Sequence, residues 1–345
     1  MHPAPTAPST HPEMLQVLMQ RQLLSLSAAC LLLLMFSSFL NAGKPSAPAR
    51  SFIAADSSKQ RIAIISEDGS TRWEHRIGPL HDLHVLPSGN ILLQLSWTHV
   101  VELDPKTGKT VWEYDAARQP DNQQRRIEIH AFQRLADGST LVAESGSARL
   151  LVVAPDNSIR TTVPLQVEKP DAHHDTRLVR GLENGNFLVC HETPGIVREY
   201  RPNGSIAWEY KVPLFNRERR SGHGVDAYGN QVFSALRLKN GNTLIGTGNG
   251  HSVLEVTPAG QIVWSLHQNE LPGIQLAWVT SLQMLPSGNI LINNCHAGPN
   301  NPQLIEVDRQ KRVVWTFSDF ERFGDSTTNS QILSVDGAPV TDSLR

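Results

Sequence analysis

Cysteine is nearly absent from this chain: one of the three, Cys30, falls in an apolar stretch near the start, leaving only Cys190 and Cys295 afterwards. So small a number excludes a disulfide framework as the source of stability. Concentrated charge of one sign is missing too. Lysine plus arginine (31) nearly cancel aspartate plus glutamate (33). Beyond residue 50 basic residues gather only in short knots, such as Arg217, Arg219 and Arg220, interrupted by Glu218. A phosphate backbone needs a dense positive surface, so nucleic acid is excluded as a partner. No cysteine or histidine spacing matches a zinc signature, and no metal site is assigned. The glycine-rich stretch Gly246-Thr247-Gly248-Asn249-Gly250 lacks the strand-to-helix setting of a nucleotide loop and reads as a turn.

Residues 1–50 stand apart from the rest. From Leu23 to Leu40 the chain is apolar with serines interspersed, preceded by Arg21 and followed by Gly43-Lys44-Pro45. That order describes an export signal. The run also approaches the length that spans a bilayer, and cleavage after Ala42 would leave the bulky Leu40 three residues upstream. Both a cleaved signal peptide and an uncleaved membrane anchor remain open, with Met14 or Met19 as alternative starts. Either way residues 51–345 are expected outside the cytoplasm, periplasmic, secreted or membrane-tethered.

The body is a repeat. Leu86-Pro87-Ser88-Gly89-Asn90 returns as Leu135-Ala136-Asp137-Gly138-Ser139, Leu182-Glu183-Asn184-Gly185-Asn186, Leu238-Lys239-Asn240-Gly241-Asn242 and Leu285-Pro286-Ser287-Gly288-Asn289, at intervals of 47 to 56 residues. This is the period of a four-stranded propeller blade. Each stretch predicts a tight two-residue hairpin between strands A and B. Further on, Val101-Glu102-Leu103-Asp104-Pro105 leads to Val111-Trp112, and the same phrase ends in Trp208, Trp264 and Trp315. Alternating apolar and polar residues mark strands C and D there, with the tryptophans placed to pack between blades. Blade three lacks this tryptophan. Residues 51–78 supply strands B, C and D only, whereas Gln331-Ile332-Leu333-Ser334-Val335-Asp336-Gly337 supplies a lone strand A. The chain is therefore expected to fold as an all-β, six-bladed β-propeller whose C-terminal strand closes the first blade and removes an exposed edge.

Glu102-Leu103-Asp104-Pro105-Lys106-Thr107-Gly108-Lys109-Thr110-Val111-Trp112 resembles the repeat of quinoprotein-type propellers, named after pyrroloquinoline quinone. The Leu-x-x-Gly-Asn turn followed by a tryptophan strand is also similar, more distantly, to bacterial arylsulfotransferase propellers. Both likenesses imply the fold over almost all of 51–340. Quinone-dependent dehydrogenases of this kind usually have eight blades and often adjacent cysteines; this chain has six repeats and no such pair, so no cofactor is identified. The second likeness implies central histidines and an arginine that move a sulfuryl group, without a motif that maps them singly.

Propeller topology turns spacing into position. Histidines avoid the A–B and C–D turns. They gather at or before strand A (His81, His84, His130, His173, His174, His223) and around the B–C loops (His99, His191, His251, His296), all on one face. His81, His130 and Arg177 hold one equivalent position in three consecutive blades, on strands that converge on the axis. The candidate ligand-binding set is His81, His84, His130, His173, His174, Arg177, Arg180, His191, His223, Asp226, His251 and His296. Insertion 213–232, before blade five, is a candidate specificity loop. Cys190 and Cys295 end strand B in blades four and six, farther apart than the about 7 Å a disulfide tolerates, and are expected as free thiols. Two functions follow: a monomer binding a small molecule, glycan or protein at this face, or a group-transfer enzyme or hydrolase. The catalytic candidates are His81, His130, His174 and Arg177. Convergence of those four in a desolvated cavity is the discriminating observation.

Overall fold

Each glycine turn closes an A–B hairpin in the same way. In blade two the Gly89 N–H donates to the Leu86 carbonyl and the Leu86 N–H to the Asn90 carbonyl, with Gly89 at φ +87°. The loop therefore has three residues ending in a left-handed glycine, one more than the two-residue turn expected, because a type I turn needs that added residue to match strand twist.

The computed structural model describes Met1, Pro3, Ala4 and residues 48–345. The apolar leader run lies outside these residues. Among them, no helix is long and apolar enough to cross a membrane. Residues 48–345 form six antiparallel sheets, five of four consecutive strands and one of five. The exception is blade one. Its strands Arg50–Asp56, Arg61–Ile65 and Thr71–Arg76 are completed by Thr327–Val335, which pairs antiparallel with Arg50–Asp56, and by Ala338–Pro339 beyond it. The ring closes through the C-terminal strand. The innermost strands of blades two to six are Leu83–Val85, Glu128–Arg134, Thr176–Gly181, Ser234–Arg237 and Trp278–Met284.

Apolar clusters fill the seams between blades. Leu92, Val100 and Trp112 of blade two pack on Ile129, Phe132 and Val142 of blade three, each aliphatic side chain contributing about 1.5–3 kcal/mol by leaving water. A polar latch repeats beside them and explains the turn motif. Asn90, Asn186, Asn242 and Asn289 each donate to a strand-C glutamate of their own blade, respectively Glu102, Glu199, Glu255 and Glu306. Each glutamate also pairs with an arginine of the next blade: Arg134, Arg237, Arg309 and Arg50. Three of these guanidinium groups lie over the strand-D tryptophans, Arg134 on Trp112, Arg237 on Trp208 and Arg309 on Trp264, at 4.6–4.9 Å from the ring centre. Blade three, with Ser139 for asparagine and Val152 for glutamate, lacks latch and tryptophan together.

A knot of charges fills the axis. Asp82 accepts from Arg180 at 2.7 and 3.0 Å, and Arg180 Nε donates to the Arg345 carbonyl at 2.6 Å. Arg345 in turn donates to the Leu83 and Ser330 carbonyls, Gln331 and Asn329. Burial disfavours the Asp82 charge, but Arg180 prevails and holds its carboxyl well below the usual range. Cys190 and Cys295 are free and buried, their thiols pushed up by burial.

Candidate functional site

Eight residues before the turn glycine, the converging strands carry His81, His130, Arg177, Phe233 and Thr280 in blades two to six. Thr328 takes the position in blade one, displaced one residue by the bulge opposite Ser51 and Phe52. Above this ring lies a cavity of about 470 Å³ whose walls include Trp97, His173, Glu192, His223, Trp278 and His296.

On one side the imidazoles are linked. His81 Nδ1 lies 2.7 Å from His130 Nδ1, and the rings stack at 4.7 Å. His130 Nε2 is 3.1 Å from the Ala172 carbonyl oxygen. His173 Nδ1 donates to Glu128 Oε2 at 2.6 Å, and the Trp97 ring stands edge-on to His81 and His173. Burial, then the neighbouring Arg177, lowers His81 well below the ordinary value and His130 to about 3. His173 is lowered too, chiefly by burial. Burial works against the Glu128 charge, yet hydrogen bonds from His130, His173 and Arg126 hold its carboxyl well below the usual range. His81, His130 and His173 are therefore held in the neutral form at pH 7.

Arg177 is the cation of the floor. It is 3 % exposed, is paired with Glu192, and lies over the Phe233 ring at 4.8 Å. Its Nε and Nη1 are buried and without hydrogen-bond partners among the described residues, as are Thr280 Oγ1 and Trp278 Nε1. Opposite, His223 stacks on Trp278 at 4.7 Å and lies 5.2 Å from His296, which burial and His223 keep below its ordinary value.

The candidate set is thus divided. His81, His173, Arg177, His223 and His296 line the cavity, and His174 stands at its edge, half exposed and bonded to Asp171 at 3.0 Å. His130 is fully buried behind His81. His84 and Arg180 belong to the axial knot beneath, His84 Nε2 lying 2.8 Å from the Phe132 carbonyl oxygen. His191 is buried against the Tyr200 hydroxyl at 2.9 Å, under a separate groove at blades three and four. His251 is held between the Ala277 and Ala227 carbonyls. Exposed Asp226 borders a different shallow groove. Of the inserted loop, Ser221, Gly222, His223 and Gln231 reach the cavity wall.

Sequence reasoning missed Trp97, Phe233, Trp278, Glu192 and Thr280. Phe233 and Thr280 occupy the turn-counted position of His81, and the two tryptophans fall outside the strand-D register of the packing tryptophans; both signals were present. Glu128, His130 and His173 bring one ligand atom each to within 4.8 Å of the others, a donor set that zinc accepts. These atoms are already bonded among themselves, and Arg177 acts electrostatically on both imidazoles, which opposes a cation.

Six blades around an axial cavity define a β-propeller. The chain belongs to the PQQ_2 family, whose model, described as outer membrane protein assembly factor BamB, matches residues 58–317. No curated protein gives a sequence match. Among solved structures, a protein of unknown function from Bacteroides caccae is similar at 23 % identity and TM-score 0.68, covering 82 % of this chain and 98 % of that one. Virginiamycin B lyase from Staphylococcus aureus is similar at 11 % identity and TM-score 0.52, covering 80 % and 86 %. These likenesses show the fold alone.

Proposed function

We propose that the protein acts outside the cytoplasm, as a monomer, and holds a small ligand in the axial cavity. The ligand combines a ring-sized apolar body with one anionic or strongly polarised oxygen group. One observation carries this reading: Arg177 keeps two donor nitrogens, Nε and Nη1, buried without partners among the described residues, a cost of about 1–3 kcal/mol per group that a ligand oxygen relieves. Trp97, Phe233 and Trp278 offer faces and edges to the apolar part. A volume near 470 Å³ suits a small molecule better than a glycan chain or a protein surface.

Benzoate is the simplest probe with both features. Titration followed by calorimetry and tryptophan fluorescence is expected to saturate, and Arg177→Gln to weaken binding about 10- to 100-fold, the worth of a charge-assisted hydrogen bond. Equal affinity in the variant, or no saturable binding by the wild type, refutes the reading. For the location, the full chain expressed in a bacterium should fractionate with periplasm or membrane; recovery in the cytosol contradicts it. The catalytic alternative, a group-transfer enzyme or hydrolase, is favoured by the desolvated contact of His81 with His130 beside Arg177.

A further inference from the structure

Hydrogen-bond donors and acceptors alone settle the tautomers at the cavity floor. A carbonyl oxygen only accepts, so His130 must present Nε2–H to Ala172. Neutral His130 then has a bare Nδ1. The 2.7 Å contact between the two Nδ1 atoms requires one proton, which His81 must supply. Neutral His81 is left with a lone pair on Nε2, on a ring that lines the cavity and has no other side-chain hydrogen bond among the described residues. Gln94 fixes the anchor below, accepting from the His81 N–H at 3.0 Å and donating to the Ile129 carbonyl at 2.5 Å. This is the less common imidazole tautomer, held by contacts across two blades.

A smaller pocket of about 10 Å³ opens beside that ring, bounded by His81, Arg177, Phe233, Thr280 and Thr328. One water needs a space of about 10–15 Å³ and two to four polar partners. Arg177 and Thr280, which border it, keep Nε, Nη1 and Oγ1 without partners, and the His81 ring that borders it keeps Nε2 as its remaining acceptor. A water in that space would give its proton towards His81.

Resting on the binding reading above, we propose that this site hydrolyses small carboxylic esters, with His81 as general base and His130 as its positioning residue. The water oxygen bonds to the acyl carbon as its proton passes to His81 Nε2, and the C=O π pair moves onto the carbonyl oxygen. Arg177 and the unpartnered Trp278 Nε1–H are the donors available for that oxyanion. Collapse breaks the bond to the alkoxide, which leaves with the proton from His81 Nε2, yielding an acid and an alcohol. Glu192 already balances the Arg177 charge, so what the floor offers an ester oxyanion is unpartnered N–H donors and no surplus cation. A phosphoryl dianion would need more.

The test uses the full chain with p-nitrophenyl butyrate. Wild type is expected to release p-nitrophenolate, slowed about two- to threefold in deuterium oxide, and His81→Gln to lose at least about 100-fold, the usual share of a general base. His130→Phe is expected to lower kcat with KM held, as His81 returns to its usual Nε2–H form. Imidazole 15N spectra of the wild type should show a protonated Nδ1 and a bare Nε2 at His81. Turnover no faster than that of His81→Gln, or a proton on Nε2, overturns the proposal. Benzoate affinity separates the failures: if it persists without hydrolysis, only the ester chemistry falls; if it is absent, the binding reading falls as well.

Discussion

His130 and His191 stay neutral because folding removes them from water, and that neutrality ties stability to pH. In the unfolded chain both titrate near 6.5; in the folded ring burial lowers each to about 3, with Arg177 adding to the effect at His130 and Arg198 at His191. Between those values the unfolded state binds more protons, so stability falls as pH drops below 6.5 and is progressively lost towards 3. Urea midpoints between pH 7 and 5, where carboxylates scarcely titrate, should decline in the wild type and decline less in His191→Gln. A flat wild-type profile contradicts the burial of these imidazoles. The same neutrality makes His81 available as an acceptor at pH 7, linking residue chemistry to the proposed activity.

At the scale of elements, the asparagine after each turn glycine is a cross-blade device as well as a turn residue. It orients a strand-C glutamate, and that glutamate reaches the arginine of the next blade. Burial grades these latches. The Arg50–Glu306 side chains are 3 % and 0 % exposed, whereas Arg134–Glu102 are 18 % and 14 % exposed. Glu306→Ala, which strands a buried guanidinium, should therefore cost about 3–5 kcal/mol, and Glu102→Ala less than half of that, both read by urea unfolding. Equal costs would mean that the seam between blades six and one is no drier than the others. The turns, strand order and packing tryptophans were legible in the sequence, because each repeats at a fixed interval. The latch partners were not, since Glu102 and Arg134 lie on different blades and one-strand periodicity says nothing of what faces across a seam.

The whole molecule depends on closure. Thr327–Val335 supplies the inner strand of blade one, contributes Thr328 to the cavity floor, and carries Asn329 and Gln331 to the axial knot. Deleting 327–345 should leave Arg50–Asp56 as an open edge and the Asp82–Arg180 pair without its neighbours, giving an aggregating product without a cooperative thermal transition. A monomeric deletion product with an unchanged Tm would refute this. The ring also explains which site residues could be read in advance. His81, His130 and Arg177 share a register, so counting back from the turn glycine brings them together. His191 and His251 lie on the same face yet serve packing, His191 within blade four and His251 between the segments that lead into blades five and six, because only inner strands approach the axis.

By itself, the sequence determined six repeats, the split first blade, the face that gathers the histidines and the absence of a disulfide scaffold, since all of these follow from local spacing and composition. Tertiary structure decided which imidazole keeps a lone pair, which arginine keeps unpartnered donors and which aromatic rings wall the cavity. Those properties depend on partners some forty to fifty residues away, brought into hydrogen-bond range only when neighbouring blades close around one axis.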